Sequence, residues 1–182
     1  MVKNNFIKIG ILGGSFDPPH KGHLYLSKQS LKHLKLKKVI WAITKKNPFK
    51  KKSFFSLIMR KKMCKKIING NKNIQLKYYE DKLRSKTSIS LIKFLKKNNK
   101  YKIYFIIGSD NLISFHKWKN YKEILKMTNI VVFSRKGFDT KAKKSVIMKH
   151  LKSKNIKFFK NLKINISSTQ IRSKIINGSK KN

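Results

Sequence analysis

Three short segments of this sequence carry residue types that could grip phosphates and a nucleotide. The first is Gly13-Gly14-Ser15-Phe16-Asp17-Pro18-Pro19-His20-Lys21-Gly22-His23. Its paired glycines let backbone N–H groups approach a phosphate closely, and its prolines stiffen the loop. His20 and His23 stand three apart where a helix begins, so both rings can aim at one place. Backbone N–H groups at a helix start favour an anion. Imidazoles among phosphates donate hydrogen bonds and, once protonated, add charge. A Walker-type loop is excluded, because no GK[ST] ending follows. A tight turn with two surface histidines is the bland alternative, and the joint pattern is too specific for it. The second segment is ISSTQIR, Ile166–Arg172. Ser168 or Thr169 can cap the helix that follows, and Arg172 lies about one turn in, where its fork can reach an anion held at the helix end. Taken alone, this is an ordinary capped helix with an exposed arginine. The third is Gly108-Ser109-Asp110, followed by Trp118-Lys119. An acid just past a strand can accept from ribose hydroxyls, and Trp118 offers a flat face for a heteroaromatic ring. A helix cap and a core tryptophan are the competing uses.

The elements that must position these residues alternate along the chain. Phe6–Leu12 reads as a strand ending at the first glycine pair. Gly22 to Leu34 has helical spacing, with Leu24, Leu26, Leu31 and Leu34. Lys38–Thr44 and Asn73–Tyr78 read as strands, with a lysine-rich loop at Asn47 to Phe55 and a helix at Leu57 to Ile68 between them. A helix at Ser88 to Lys97 precedes a strong strand at Tyr101–Ile107. Short helices at Leu112–Phe115 and Tyr121–Met127 flank Trp118. Ile130–Ser134 reads as a strand, Lys141 to Lys152 as a helix, Ile156–Phe159 as an edge strand and Ser168 to Ile176 as the last helix. Such alternation predicts an α/β, Rossmann-like, doubly wound parallel sheet with helices on both faces. Ligands of such sheets sit beyond the carboxyl ends of the strands, where strand order reverses. The Gly13, Gly108 and Arg135 segments all follow strand ends and could share one cleft. The expectation is one domain over residues 1–177 and a disordered tail at 178–182.

Composition sets the background. The chain has 182 residues and a formal charge of +41, from 47 basic and 6 acidic residues. Such a charge could neutralise nucleic-acid phosphates. Lysines are instead spread along the whole chain, and asparagine and isoleucine are abundant beside them, which is the footprint of A/T-rich coding. Arginine occurs only at Arg60, Arg84, Arg135 and Arg172. Where lysine is the default cation, an arginine marks a need for a flat, forked donor. Where acids are so few, each one deserves a question. Cys64 is the only cysteine, so no internal disulfide forms. That suits a reducing cytoplasm, and a buried apolar role for the thiol. No run of about 20 apolar residues exists, so no membrane span is expected.

The first segment resembles the HxGH loop of a nucleotidyltransferase superfamily related to class I tRNA synthetases. Within it the chain is similar to the bacterial nicotinate-nucleotide adenylyltransferases. GGSFDPPHKGHL, NPFKKK at Asn47–Lys52, TSISL at Thr87–Leu91, GSDNLISFHKWK at Gly108–Lys119, FSRKG at Phe133–Gly137 and SSTQIR at Ser167–Arg172 fall in that family's order. The loop specifies only the superfamily; the GSD…W and TxxS stretches point to the nicotinate branch. The resemblance implies that AMP moves from ATP to nicotinate mononucleotide, giving deamido-NAD and pyrophosphate in NAD biosynthesis. It implies Mg²⁺ arriving with ATP and no protein metal site. It assigns His20, His23 and Arg172 to the ATP phosphates and the catalytic step. Gly13, Gly14, Ser15, Phe16, Asp110 and Ser168 complete the ATP side. Thr87, Trp118 and Arg135 fall to the nicotinate nucleotide. Three positions depart from the pattern. Ser15 stands where threonine is common, Lys86 where tyrosine often precedes Thr87, and Ser90 where a second threonine is usual. Nicotinamide mononucleotide or phosphopantetheine as acceptor remains open, as does a basic nucleic-acid-binding protein.

Overall fold

The computed structural model describes residues 6–46, 52–97, 100–150, 156–159 and 166–178. Six strands form one parallel sheet: β1 (Ile7–Gly14), β2 (Lys38–Ile43), β3 (Ile74–Lys77), β4 (Tyr101–Gly108), β5 (Asn129–Phe133) and β6 (Ile156–Phe159). Their order is β3-β2-β1-β4-β5-β6, so the direction of winding reverses between β1 and β4. Every pair is parallel, with Leu12 opposite both Trp41 and Ile106. A parallel sheet must be covered on both faces, which explains why IKIGIL, KVIWAI and YKIYFII are nearly continuous apolar runs.

The helices are α1 (Lys21–Leu34), α2 (Leu57–Ile68), α3 (Glu80–Leu83), α4 (Ser88–Lys96), α5 (Ser109–Ser114), α6 (Tyr121–Met127), α7 (Asp139–Lys143), α8 (Val146–His150) and α9 (Ser168–Gly178). A 3₁₀ turn, Phe115–Lys117, joins α5 to the Trp118 segment. Two apolar layers result. One packs Ile9, Ile11, Ile103, Phe105 and Ile130 of the sheet against α4 to α8, with Ile92, Leu112, Phe115 and Ile124 at its centre. The other packs Leu12, Trp41, Tyr104 and Ile106 against α1 and α2, with Cys64 wholly buried. Burial pushes the Cys64 thiol up to about 12, so it stays protonated and packs as a small apolar group.

Apart from shifts of one to three residues at element ends, predicted and observed elements differ at three places. The helix predicted over Lys141–Lys152 is two helices, α7 and α8; residues 151–152 lie outside those described. Ala142 and Ile147 are both buried, yet five positions put them about 140° apart around one helix, so a straight helix cannot bury both. The break at Lys144-Ser145 turns each inward. The short helix α3 was absent from the sequence reading, because a single turn carries no periodic signal. Gly178, expected in a disordered tail, ends α9, while residues 179–182 lie outside those described. The 47–51 part of the lysine-rich loop also lies outside them.

Candidate active site

The ends of β1, β4 and β5 open onto one cleft of about 880 Å³, large enough for a nucleotide. It is lined by Gly13, Gly14, Ser15, Phe16, His20 and His23 from the first segment, by Asp110 and Trp118 from the third, and by Thr87, Arg135 and Ser168. Residues up to 155 positions apart in sequence thus meet at the switch in strand order.

The histidine pair is built by the start of α1. His20 has extended backbone, with φ −151° and ψ 168°, and the helix begins at Lys21. The His20 backbone N–H donates to His23 Nδ1 at 3.2 Å. That bond leaves the proton of the neutral His23 ring on Nε2. The two rings lie 3.8 Å apart between centroids. Gly22 makes this possible: a Cβ there would sit 2.8 Å from His20 Nδ1 and 3.1 Å from Ile166 Cγ2. Phe16, in the left-handed region at φ 47°, stacks on Trp41 at 4.8 Å and against His23 at 4.9 Å. Burial, with the nearby Arg135 charge, lowers the His20 pKa to about 4. Burial first, then His20 and Arg135, hold His23 well below its ordinary value. Both rings are therefore neutral donors at pH 7, not the cations that imidazoles among phosphates can become.

Asp110 and Arg135 meet each other. The Arg135 guanidinium donates to Asp110 Oδ2 in an ion pair, and the other Asp110 oxygen, Oδ1, is buried without a partner. Gly108 leaves room for Asp110 to fold back, since a Cβ there would collide with Oδ1. Trp118 stands edge-on to Phe105 at 6.0 Å and lies tilted against Phe115 at 5.0 Å, and its Nε1 is buried without a partner. Unsatisfied polar atoms on two residues that line one cleft are costly unless something supplies their partners.

Thr87 caps α4: its hydroxyl accepts from the Ser90 N–H at 3.4 Å and lies 2.8 Å from Ser90 Oγ. Ser168 donates to the Pro18 carbonyl at 2.8 Å, so α9 is seated on the first loop. Arg172 is placed differently from its sequence reading. Its guanidinium donates to the Asp17 carbonyl and to Thr169 Oγ1, and it is not among the cleft-lining residues. Here it ties the last helix to the loop.

Sequence reasoning missed three side chains that shape the site. Asp17 is 3% exposed and accepts the Phe54 and Phe55 N–H groups at 2.8 and 2.9 Å. Arg60 is 1% exposed and donates to the carbonyls of Ser15, Thr44, Lys45 and Phe55, tying three segments with one fork. Asp139 accepts from Ser134 Oγ and from the Arg135 N–H, fixing the turn that presents Arg135. The rarity of arginines and acids was the signal that could have found all three.

A parallel sheet with this order, a histidine pair on its first loop and a nucleotide-sized cleft at its switch point define a nucleotidyltransferase-type α/β protein. The comparisons name the family. Residues 11–174 match the cytidylyltransferase-like family. A protein of Pelagibacter ubique named "Probable nicotinate-nucleotide adenylyltransferase" is 52% identical over 165 residues, covering 91% of this chain and 92% of that one. One of the same name from Aquifex aeolicus is 34% identical, over 88% of this chain and 98% of its own. The chain belongs to the nicotinate-nucleotide adenylyltransferase branch of the cytidylyltransferase-like family. A Plasmodium falciparum nicotinic acid mononucleotide adenylyltransferase solved with NaAD shares the fold, at TM-score 0.72 and 22% identity over 91% of this chain and 82% of its own.

Proposed function

We propose that this chain transfers AMP from ATP to nicotinate mononucleotide, releasing pyrophosphate and deamido-NAD in NAD biosynthesis. The observation that carries the reading is the pairing of two grips in one cleft. The β1–α1 loop brings neutral imidazole donors and backbone N–H groups. The β4 and β5 ends bring the unpartnered Asp110 oxygen and the face of Trp118.

The reaction asks little covalent work of the protein. The acceptor's 5′-phosphate is already an anion, so no general base is needed. One of its oxygens attacks the α-phosphorus in line, the bond from the α-phosphorus to the bridging oxygen breaks, and pyrophosphate leaves with the electron pair. Positioning and charge stabilisation do the rest. His20 and His23 donate to the triphosphate, Gly13 to Phe16 wrap it with backbone, and Ser168 and Arg172 hold the loop that presents it. Asp110 accepts from ribose, Trp118 stacks on the pyridine ring, and Thr87 and Arg135 border the acceptor. Mg²⁺ comes bound to ATP, where it neutralises phosphate charge. We place this enzyme in the cytoplasm, as one domain over residues 1–177. Among the described residues, no helix is long and apolar enough to cross a membrane.

The test is pyrophosphate release with ATP and each acceptor in turn. Turnover with nicotinate mononucleotide above that with nicotinamide mononucleotide or phosphopantetheine is the expected result. Turnover with phosphopantetheine alone would keep the family and overturn the acceptor.

A further inference from the structure

We propose that Lys86 selects an acidic acceptor over its amide counterpart, a role that rests on the function proposed above. Lys86 is shared by two cavities. It lines the main cleft, and it also lines a small pocket of about 40 Å³ below the start of α4. Phe105 forms part of that pocket, and Trp118 stands edge-on to the same Phe105 ring at 6.0 Å. Trp118 and the start of α4 are therefore neighbours on one face of the sheet. A pyridine ring on Trp118 has its substituent within the region that Lys86 borders.

The charges there make the cation matter. Glu80 is 9% exposed and lines the same small pocket; its Oε2 accepts the Lys45 N–H at 3.1 Å and its Oε1 is unpartnered. A carboxylate on the acceptor would meet this buried acid. Arg135 is already engaged by Asp110. Lys117, Lys119 and Lys136 also border the cleft, but none of them lines the small pocket that Lys86 shares with Glu80. Lys86 is the cation placed between Glu80 and the ring site. Its ammonium attracts a carboxylate and gains nothing from a neutral amide, and it offsets the repulsion from Glu80.

Initial rates of the wild type, Lys86→Met and Lys86→Arg test this, with nicotinate and nicotinamide mononucleotides at saturating ATP and Mg²⁺. Lys86→Met should raise the KM for the acid about fivefold, the size of a partly exposed charge pair, with kcat and the KM for the amide within about twofold of wild type. Lys86→Arg should keep the wild-type ratio. Salt should narrow the wild-type preference and leave that of Lys86→Met flat. A common shift for both acceptors, or no shift for either, overturns the role of Lys86. A wild type that turns over neither pyridine nucleotide overturns the function itself, and Lys86 with it.

Discussion

His23 holds its proton on Nε2 because the His20 backbone N–H occupies Nδ1. Replacing it by alanine removes a donor from a fixed position. His23→Ala should therefore cost about 10²–10³ in kcat with the fold intact by circular dichroism; activity within a few-fold of wild type would remove His23 from the chemistry. The same two residues give the protein a pH signature. An unfolded histidine titrates near 6.5, whereas His20 in the fold titrates near 4 and His23 well below its ordinary value. Between those values the unfolded chain binds protons that the folded one does not. Their contribution to stability is whole above pH 6.5 and is lost as pH falls towards 4. Denaturant unfolding at pH 7 and pH 5 should show this loss, and His20→Gln should lessen it. Arg60 has a different kind of importance. Removing it strips four carbonyls of one donor, so Arg60→Met should cost about 3 kcal/mol in denaturant unfolding.

Among the elements, α9 is the most tenuously held near the site. None of its residues is buried, and it meets the first loop through Ser168 on Pro18 and Arg172 on Asp17. Arg172→Ala should speed amide exchange in α9 about tenfold and lower kcat, because the loop loses a brace. The elements also show what a sequence discloses. The bounds of α2 and α6 agree with the sequence reading residue for residue, since each has clear apolar spacing and Ser56 caps α2. The sheet was legible from its apolar runs. The α7–α8 break was not, because it answers to the shape of the core at Ala142 and Ile147 and not to any local breaker. The cleft was legible as a meeting of strand ends. The Asp110–Arg135 ion pair and the Arg60 tie were not, because hydrogen bonds between distant segments leave no spacing to read. Arg172 was legible by residue type as a forked donor, but its bonds to the Asp17 carbonyl and Thr169 Oγ1 were not.

At the scale of the whole molecule, the charge of +41 surrounds a cleft whose substrates are anions. A field of that sign draws phosphates inward and fades with salt. The value of kcat/KM for ATP should fall several-fold as salt rises from about 50 to 300 mM, with kcat nearly constant. A parallel fall in kcat would point to loosened structure instead of weakened attraction.

The seat of α9 on the first loop has a consequence in time. The loop after β1, residues 13–23, leaves the ribosome well before α9. The side chains that brace its Asp17 and Pro18 carbonyls lie at positions 172 and 168. During synthesis the loop waits for another 150 residues before it is braced. A chain cut short before Ser168 carries the first loop without either of these two bonds.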